Sequence, residues 1–371
     1  YFALNMKHVN IIYVILLGMA IGCTSTNKRD TRWMLDGFVK ANEFNPVLTA
    51  DTASSFFDPI RNEAVKWQAK DVFNPSSLVL ADELVLVYRG EDFIGKHNGT
   101  SRLGIARSKN GIDFVRENEP IFYPSQDAQK PLEWEGGVED PRIVQDIEGI
   151  FWMTYTAYDG KVARLLIASS QDLYHWEKYG SVFTDLEDAE KWSKSGSIVS
   201  TLTEGKMLAT QINGFYWMYF GDTNLFLAKS PDLISWTILK EANGDWQKIL
   251  IPRAGMFDSR LVEAGPPAMV TSAGILLLYN GMNLDVGGAI ELPSGTYSAG
   301  QALFDRGDPA RLIDRSNKPF LVPDQAYEMT GQVNNVCFIE GLSYFNNQWF
   351  LFYGTADSKI AVAISSAVSH W

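Results

Sequence analysis

Cysteine, histidine and positive charge are scarce in this sequence, and each shortage excludes something. The 371 residues include two cysteines and four histidines, and the formal net charge is −12. Only Cys337 lies outside the N-terminal segment, so an internal disulfide in the folded part is excluded. The histidines are widely scattered, which argues against a histidine-built metal site. Nucleic-acid binding would require a basic stripe, and phosphate-bearing cofactors favour a glycine-rich loop. The sequence has neither, so we predict no cofactor and no nucleic-acid partner.

Long helical periodicity is also missing, apart from a possible short helix at Asp185–Lys191. Short runs rich in aromatic and β-branched residues dominate instead, bounded by Gly, Asn, Asp or Pro. Examples are Ser77–Leu80, Leu84–Tyr88, Phe151–Tyr155, Leu165–Ala168, Trp217–Phe220, Leu225–Ala228, Ile275–Tyr279 and Trp349–Tyr353. These runs predict an all-β chain.

The N-terminal part of the chain is predicted to lie outside the fold. Met6 is the expected start, and the apolar run 11–21 is too short to span a bilayer and is typical of a signal segment. The small residues before Cys23 resemble a bacterial lipobox, which implies cleavage there and acylation of the thiol; an ordinary signal peptide is the alternative. Residues 1–23 are then the extension and signal, 24–43 a polar tether and 44–371 the folded domain. We expect an exported lipoprotein, anchored to a membrane through Cys23 in the periplasm or at the cell surface.

A repeat of about 60 residues organises the rest of the chain. Its pattern is apolar-x-apolar-Ala-x-Ser-x-(Asp or Asn)-x-x-x-aromatic, found at 103–114, 165–176 and 225–236, with weaker copies at 299–304 and 360–365. Each copy follows a strand that ends in aromatic residues. Five such units predict a five-bladed β-propeller. A pair of β-sandwiches and a β-helix are the alternatives, although the period is long for a β-helix rung.

Each aromatic strand is followed by a polar cluster. The clusters are Arg89–Asp92, Ala157–Asp159, Gly221–Asn224, Asn280–Gly281 and Gly354–Asp357. In a propeller, equivalent strand ends converge on one axial pocket. Carboxylates gathered there incur desolvation and repulsion costs that a purely structural protein has no reason to bear.

The stretch 136–143, Gly-Gly-Val-Glu-Asp-Pro-Arg-Ile, holds two adjacent acids. A residue before proline is pushed out of the helical region, so Asp140 is expected at a bend with its carboxylate fixed. Arg142 is close enough to bias its charge, and such an acid suits general acid–base chemistry. A surface turn with a local ion pair is the alternative.

Several motifs together resemble glycoside hydrolase family 130. They are Asn74–Ser77, Tyr88–Asp92, Asn110–Gly111 after the Ala106 repeat, Gly137–Ile143, Glu263–Pro267 and Tyr353–Asp357. The resemblance extends from about Phe44 to Ser365 in the expected order. It implies a five-bladed propeller that acts on β-mannosides with inversion. Many members of that family are phosphorylases of β-1,4-mannosyl bonds, and a smaller group hydrolyse β-1,2-mannosides.

The resemblance also implies roles for individual residues. Asp140 matches the general acid, which passes its proton through a sugar hydroxyl. The residues implied to hold the mannose are Asn74, Arg89, Arg102, Asp159 and Asp357. Lys194 resembles a lysine that marks β-1,2 preference, and its alternative is an exposed loop lysine. Arg102 could instead pair only with Glu91 or Asp92, and Asn74 could only cap a turn.

Two positions that differ from the family's phosphorylases indicate whether the acceptor is water or phosphate. Phosphorylases of the family carry His-Arg after the third aromatic strand, where this chain has Gly221-Asp222, and Tyr-His-Gly after the fourth, where it has Tyr279-Asn280-Gly281. Cations that would bind phosphate are thus replaced. We predict an inverting hydrolase with Glu263 as the base, assisted by Asp222. Hydrolytic members more often present two glutamates, so Asp222 departs from their pattern.

Other functions stay open at this point. A phosphorylase could bind phosphate through Arg164, Arg253 or Arg260, and a non-catalytic glycan-binding lipoprotein could use the same scaffold. Other five-bladed glycosidases, which cleave arabinan or fructan, are a further alternative. An enzyme requires Asp140, Asp222 and Glu263 to share one pocket. The aromatic residues considered as sugar platforms are Trp134, Trp192, Trp217 and Tyr297, of which Trp217 is expected in the core.

Overall fold

The computed structural model describes residues 32–366, in which β-strands predominate. The strands are β1 (Val39–Lys40), β2 (Phe56–Asp58), β3 (Glu63–Val65), β4 (Asp71–Leu80), β5 (Glu83–Glu91), β6 (Ser101–Ser108), β7 (Val115–Arg116), β8 (Gly137–Gln145), β9 (Phe151–Tyr158), β10 (Ala163–Ser170), β11 (Trp176–Ser181), β12 (Ser197–Ile198), β13 (Ser200–Thr203), β14 (Lys206–Ala209), β15 (Tyr216–Phe220), β16 (Phe226–Ser230), β17 (Thr237–Ile238), β18 (Leu261–Ala264), β19 (Met269–Val270), β20 (Ile275–Met282), β21 (Tyr297–Phe304), β22 (Leu312–Arg315), β23 (Cys337–Phe345), β24 (Gln348–Thr355) and β25 (Lys359–Ser365). The helices are α1 (Lys130–Glu133), α2 (Leu186–Ala189) and α3 (Ala326–Met329).

All of these strands except the pairs β2-β3 and β13-β14 form five antiparallel units of similar design. Unit 1 is β4-β5-β6-β7, unit 2 is β8-β9-β10-β11 and unit 3 is β12-β15-β16-β17. Unit 4 has a divided inner strand, β18 and β19, followed by β20, β21 and β22, and unit 5 is β23-β24-β25-β1. The repeat copies lie on the strands β6, β10, β16, β21 and β25. Because strands predominate and the helices are short, the all-β prediction is confirmed.

A buried aromatic residue marks the same place on the second strand of every unit, two residues after the one that pairs with the repeat alanine. The five are Tyr88, Tyr155, Phe220, Tyr279 and Tyr353, each without exposed surface. Buried tyrosine hydroxyls need a hydrogen-bond partner, and the four tyrosines donate to Gln68, Glu133, Asp258 and Glu328 respectively. The aromatic strand ends seen in the sequence are therefore structurally equivalent.

Hydrogen bonds near the inner strands connect each unit with the next and the fifth with the first. The contacts, in order, are the Ile143 amide to Ser76 Oγ, Thr154 Oγ1 to the Gly196 carbonyl, Ser197 Oγ to the Pro266 carbonyl, the Asn280 amide to the main chain of Ile339, and Ser343 Oγ with Ser77 Oγ. The hydrogen-bonded order of the units is therefore cyclic.

The folded unit begins before the predicted boundary at residue 44. Strand β1 pairs with β25, so Val39 and Lys40 supply the outer strand of unit 5. Trp33 and Leu35 are buried, and the Leu35 amide donates to Gln301 Oε1 over 2.9 Å. Residues 33–43 therefore belong to the domain, and the prediction that they form a polar tether is wrong.

Helix α2 begins after Asp185, whose side chain accepts from two amides of its first turn, so the short helix predicted there is confirmed. Cys337 is buried at the start of β23. The signal segment and Cys23 lie outside the described residues. Within residues 32–366, none of the helices has the length and apolar character needed to cross a membrane.

Candidate active site

Bulges in the inner strands place polar side chains at equivalent positions in three units. Pairing is interrupted at Asn74 in unit 1, at Asp140 in unit 2 and at Glu340 in unit 5. Asn74 and Asp140 adopt left-handed backbone angles, with φ of 46° and 49°. A bulge redirects a side chain away from the regular alternation of the strand. The predicted bend at Asp140 is therefore present.

Asp140 lies at the centre of a buried polar network. Its Oδ1 accepts from Asn74 Nδ2 over 3.0 Å and from Arg89 Nη1 over 3.2 Å. Lys194 Nζ lies 4.0 Å from its other oxygen. Burial disfavours the charged carboxylate, but Arg89, Lys194 and Arg142 outweigh that cost, and the pKa of Asp140 falls below its usual value. The predicted influence of Arg142 is present, although Arg89 and Lys194 have the larger effects.

The guanidinium of Arg89 contacts several carboxylates. Its Nη2 donates to Glu91 over 2.6 Å and to Glu139 over 3.0 Å. Burial raises the pKa of Glu139 to about 7, with Asp140 adding to the rise and Arg89 opposing it. Burial likewise raises the pKa of Asp357 to about 7, against the pull of Arg89. The cluster holds more acid than cation, so it binds protons near neutral pH.

Glu263 is the second carboxylate that Lys194 contacts. It is buried, its Oε1 accepts from Ser195 Oγ over 2.5 Å, and Lys194 Nζ is 3.5 Å away. Burial raises the pKa of Glu263, and Lys194 opposes the rise. One ammonium contacts both carboxylates, so the contacting oxygens of Asp140 and Glu263 are at most 7.5 Å apart, the sum of the two distances.

Asp222 borders the same cluster from a more exposed position. Its Oδ2 accepts from the indole N–H of Trp192 over 2.7 Å, and the Gly221 amide is bonded to the Lys194 carbonyl over 2.9 Å. The charge of Asp222 contributes to the raised pKa of both Lys194 and Glu263. The three acids expected to share one site are therefore neighbours of a single lysine.

Two residues that were predicted to bind the sugar are instead paired with other side chains of the protein. Arg102 has no exposed surface, and its guanidinium bonds to Asp58 over 2.5 Å and to Asp92 over 2.7 Å. Arg102 is thus a structural residue, and its predicted contact with sugar is wrong because no part of it is accessible. Asp159 accepts from Arg164 over 2.8 Å and from two amides of its own turn, outside the contacts of Asp140.

The cations and aromatic residues considered earlier also have definite surroundings. Arg164 also bonds to Glu190, and Arg253 is paired with Asp258. Trp192 is half exposed, whereas Arg61 covers Trp134 at 5.1 Å from the ring centroid. Trp217 is partly buried against the core, as expected, and its indole donates to the Ile212 carbonyl. Tyr297 borders the site, since burial and the charge of Glu263 together raise its pKa.

Sequence reasoning missed Glu340. This residue has no exposed surface, neither carboxylate oxygen has a hydrogen-bond partner, and Arg142 Nη2 is 3.5 Å away. Burial raises the pKa of Glu340 well above its usual value. Its position in the repeat, equivalent to Asn74 and Asp140, was the available signal. Within residues 32–366, no group of three or more acidic, histidine or cysteine side chains is placed to hold a metal ion.

Comparison with known proteins was made on sequence and on structure. A family profile described as beta-1,4-mannooligosaccharide phosphorylase, that of glycoside hydrolase family 130, matches residues 47–369. A 1,2-beta-oligomannan phosphorylase of Thermoanaerobacter sp. (strain X514) is 31% identical over 307 residues, which are 81% of this chain and 91% of that protein.

Two solved structures are more similar in sequence. A glycosyl hydrolase from Bacteroides ovatus is 43% identical with a TM-score of 0.86, over 90% of this chain and 94% of that chain. The other is described by the words "The GH130 family of mannoside phosphorylases contains glycoside hydrolases that target beta-1,2 mannosidic linkages in Candida mannan"; it is 43% identical with a TM-score of 0.87 and the same coverage. The profile match over most of the chain shows that this protein belongs to glycoside hydrolase family 130.

Proposed function

We propose that this protein is an inverting β-1,2-mannoside hydrolase built on a five-bladed β-propeller. The cyclic hydrogen-bonded order of the five units and the buried aromatic residue at the same place in each support the propeller. Their inner-strand bulges would then face one axis, where the carboxylates of Asp140 and Glu263 would meet the sugar.

The observation that carries the enzymatic proposal is the position of Lys194 between Asp140 and Glu263. Inverting glycosidases place their two carboxyl groups roughly 6.5–9.5 Å apart, which leaves room for a water molecule. The upper limit of 7.5 Å between the contacting oxygens is compatible with that range.

In the proposed reaction, Glu263 removes a proton from water as the oxygen attacks the anomeric carbon. The glycosidic bond breaks on the opposite face, and the leaving oxygen receives a proton through a sugar hydroxyl from Asp140, which is recharged by the proton that Glu139 holds beside it on Arg89. A buried base with a raised pKa is well suited to accept that proton. Glu139, which shares Arg89 with Asp140, keeps a proton in this cluster up to about pH 7.

Water is favoured over phosphate by the positions that differ from the phosphorylase pattern. Asp222 adds negative charge beside Lys194, which opposes binding of a phosphate anion. Asn280 stands where the phosphorylases carry histidine, and its side-chain amide is already bonded to both the N–H and the carbonyl of Ile339. The greater identity to a described glycosyl hydrolase, 43%, than to the oligomannan phosphorylase, 31%, agrees with this.

The proposal also includes the β-1,2 linkage of the substrate and the location of the protein at a membrane. Lys194, in contact with both proposed catalytic carboxylates, is the residue that resembles the β-1,2 marker, and one similar structure is described with β-1,2 linkages. We also retain the proposal of a lipid anchor at Cys23. Mass spectrometry of the membrane fraction should show acylation that Cys23→Ser removes; an unmodified thiol would contradict it.

Product analysis tests the proposed reaction. Residues 24–371 are incubated with β-1,2- or β-1,4-mannobiose, with and without inorganic phosphate, and mannose is separated from mannose 1-phosphate. We expect mannose at equal rates without phosphate, only from the β-1,2 substrate. Phosphate-dependent mannose 1-phosphate would instead identify a phosphorylase, which the similarity to the oligomannan phosphorylase makes the second candidate.

Matched variants connect the product to the site. Glu263→Gln should abolish mannose release, whereas Asp82→Asn, at a side chain that is 80% exposed, should leave it unchanged. Full activity of the Glu263 variant would exclude it as the base and leave Asp222 as the candidate.

A further inference from the structure

Arg142 joins the strand that carries the proposed acid to the strand that carries the proposed base. Its Nη1 donates to the main-chain carbonyl of Asp140 over 3.2 Å. Its Nη2 and Nε donate to the carbonyls of Ala264 and Gly265, each over 2.8 Å. Ala264 directly follows Glu263 in β18. The guanidinium therefore connects unit 2 with unit 4, which are not neighbours in the cyclic order.

The surroundings of Arg142 make this connection rigid. The residue is 1% exposed, and its planar fork of N–H groups is engaged at several points. Glu340, from unit 5, approaches Nη2 to 3.5 Å. Its position is fixed in turn, because Asn280 bonds to the main chain of the preceding residue, Ile339.

We propose that Arg142 is a positioning residue, which sets the separation between the carboxylates of Asp140 and Glu263 by holding their main chains in one hydrogen-bonded frame. This inference rests on the proposed hydrolase function, which assigns the two carboxylates their roles. Inverting hydrolysis is sensitive to that separation, since the attacking water must fit between base and sugar. Arg142 does this through carbonyl groups and need not contact the substrate.

The test separates position from charge by comparing Arg142→Lys with Arg142→Met. Lysine keeps the positive charge but cannot reproduce a planar, multiply bonded fork. Both variants should therefore lower kcat on β-1,2-mannobiose by about 100-fold, the scale of a misplacement of about 1 Å. The dissociation constant for mannose, measured by calorimetry, should change by less than about three-fold because the sugar-binding side chains stay in place.

The pH dependence of kcat provides a second test, because a purely structural role of Arg142 would leave it unchanged. The charge of Arg142 lowers the pKa of both Asp140 and Glu263. The acid limb of the kcat profile, set by ionisation of the base Glu263, should therefore shift to higher pH in the methionine variant and stay in place in the lysine variant. Arg315→Lys is the matched control: this buried arginine bonds to Tyr279 and to the Ile251 carbonyl, outside the proposed catalytic contacts. It should retain wild-type kcat.

Wild-type kcat in Arg142→Lys would overturn the inference, as would an equal loss in Arg315→Lys. If the Arg142 variants do not fold, Glu340→Gln decides, because it keeps the shape of the side chain. It should lower kcat about five-fold at unchanged KM, because it weakens the contact that holds Arg142 Nη2 from the side of unit 5; unchanged kcat, or a change in KM alone, would contradict positioning. Asp140→Asn and Glu263→Gln are assayed in parallel. Their inactivity with an active Arg142→Lys refutes only this inference, whereas their full activity refutes the proposed function.

Discussion

Two arginines, Arg89 and Arg102, lie on neighbouring strands of unit 1 and have different surroundings. Arg102 has no exposed surface and bonds to two acids, Asp58 and Asp92, whose remaining oxygens accept main-chain amides. Every carboxylate oxygen is hydrogen-bonded there, and the pKa of Asp92 falls despite burial because Arg102 and the amides hold its charged form.

The acids around Arg89 are compensated less fully. This arginine contacts Glu91, Glu139 and Asp140 and opposes the raised pKa of Asp357. Two of these acids have a pKa near 7 because their partners do not outweigh the cost of burial. Fully hydrogen-bonded ion pairs serve the fold, whereas incompletely compensated acids hold exchangeable protons, as acid–base chemistry requires.

The largest expected effect is on catalysis at the Arg89 cluster. Asp140→Asn should lower kcat on β-1,2-mannobiose by about 10³-fold, since a general acid contributes about 10²–10⁴. The melting temperature should fall slightly, because the cations that lower the pKa of Asp140 also stabilise its charged form in the fold. Steady-state kinetics and thermal unfolding together check this, and Asp82→Asn is the exposed control. Retained activity would show that the excess of acid has another purpose.

A change at Arg102 should instead affect the stability of the fold. Arg102→Met leaves Asp58 and Asp92 buried without their cation, and should lower the free energy of unfolding by about 3–5 kcal/mol. Urea titration measures the loss, and kcat per folded molecule should stay at the wild-type value. A fall in kcat without loss of stability would show that Arg102 serves the site after all.

The pH dependence sharpens the contrast. Glu139 and Asp140 share Arg89, and the proton retained by Glu139 is lost as pH rises through about 7. We expect kcat/KM to fall up to ten-fold per unit above that pH. Glu139→Gln should remove this limb. A profile that stays flat to pH 9 would contradict proton storage in the Arg89 cluster.

The smallest expected effect concerns Asp357. Burial raises its folded pKa to about 7 from a usual value of 3.8, so folding becomes less favourable as pH rises between these values. Asp357→Asn should therefore raise the melting temperature at pH 8, by about 2 °C, with little change at pH 3. The KM for mannosides should increase if Asp357 holds the sugar. An equal shift at both pH values would exclude titration of Asp357 as the cause.

Residues with a local signal were predicted well. Asp140 was recognised because Asp-Pro fixes its own backbone, and the structure adds the left-handed φ of 49° and the bulge. Lys194, Asp222 and Glu263 were placed by motif and repeat, and they are neighbours. Arg102 was misassigned because Asp58, which completes its pairing, is 44 residues away in sequence.

The sequence by itself determined the strands, their repeat and the carboxylates that each unit contributes, because alternation, turn residues and aromatic strand ends are local features. Only the tertiary structure decided which charges are paired. Pairing depends on distances between units, as with Arg142 and the carbonyls of residues more than 120 positions away. Burial decided the rest, since the raised pKa of Glu139 and Glu340 comes from the water that folding removes around them.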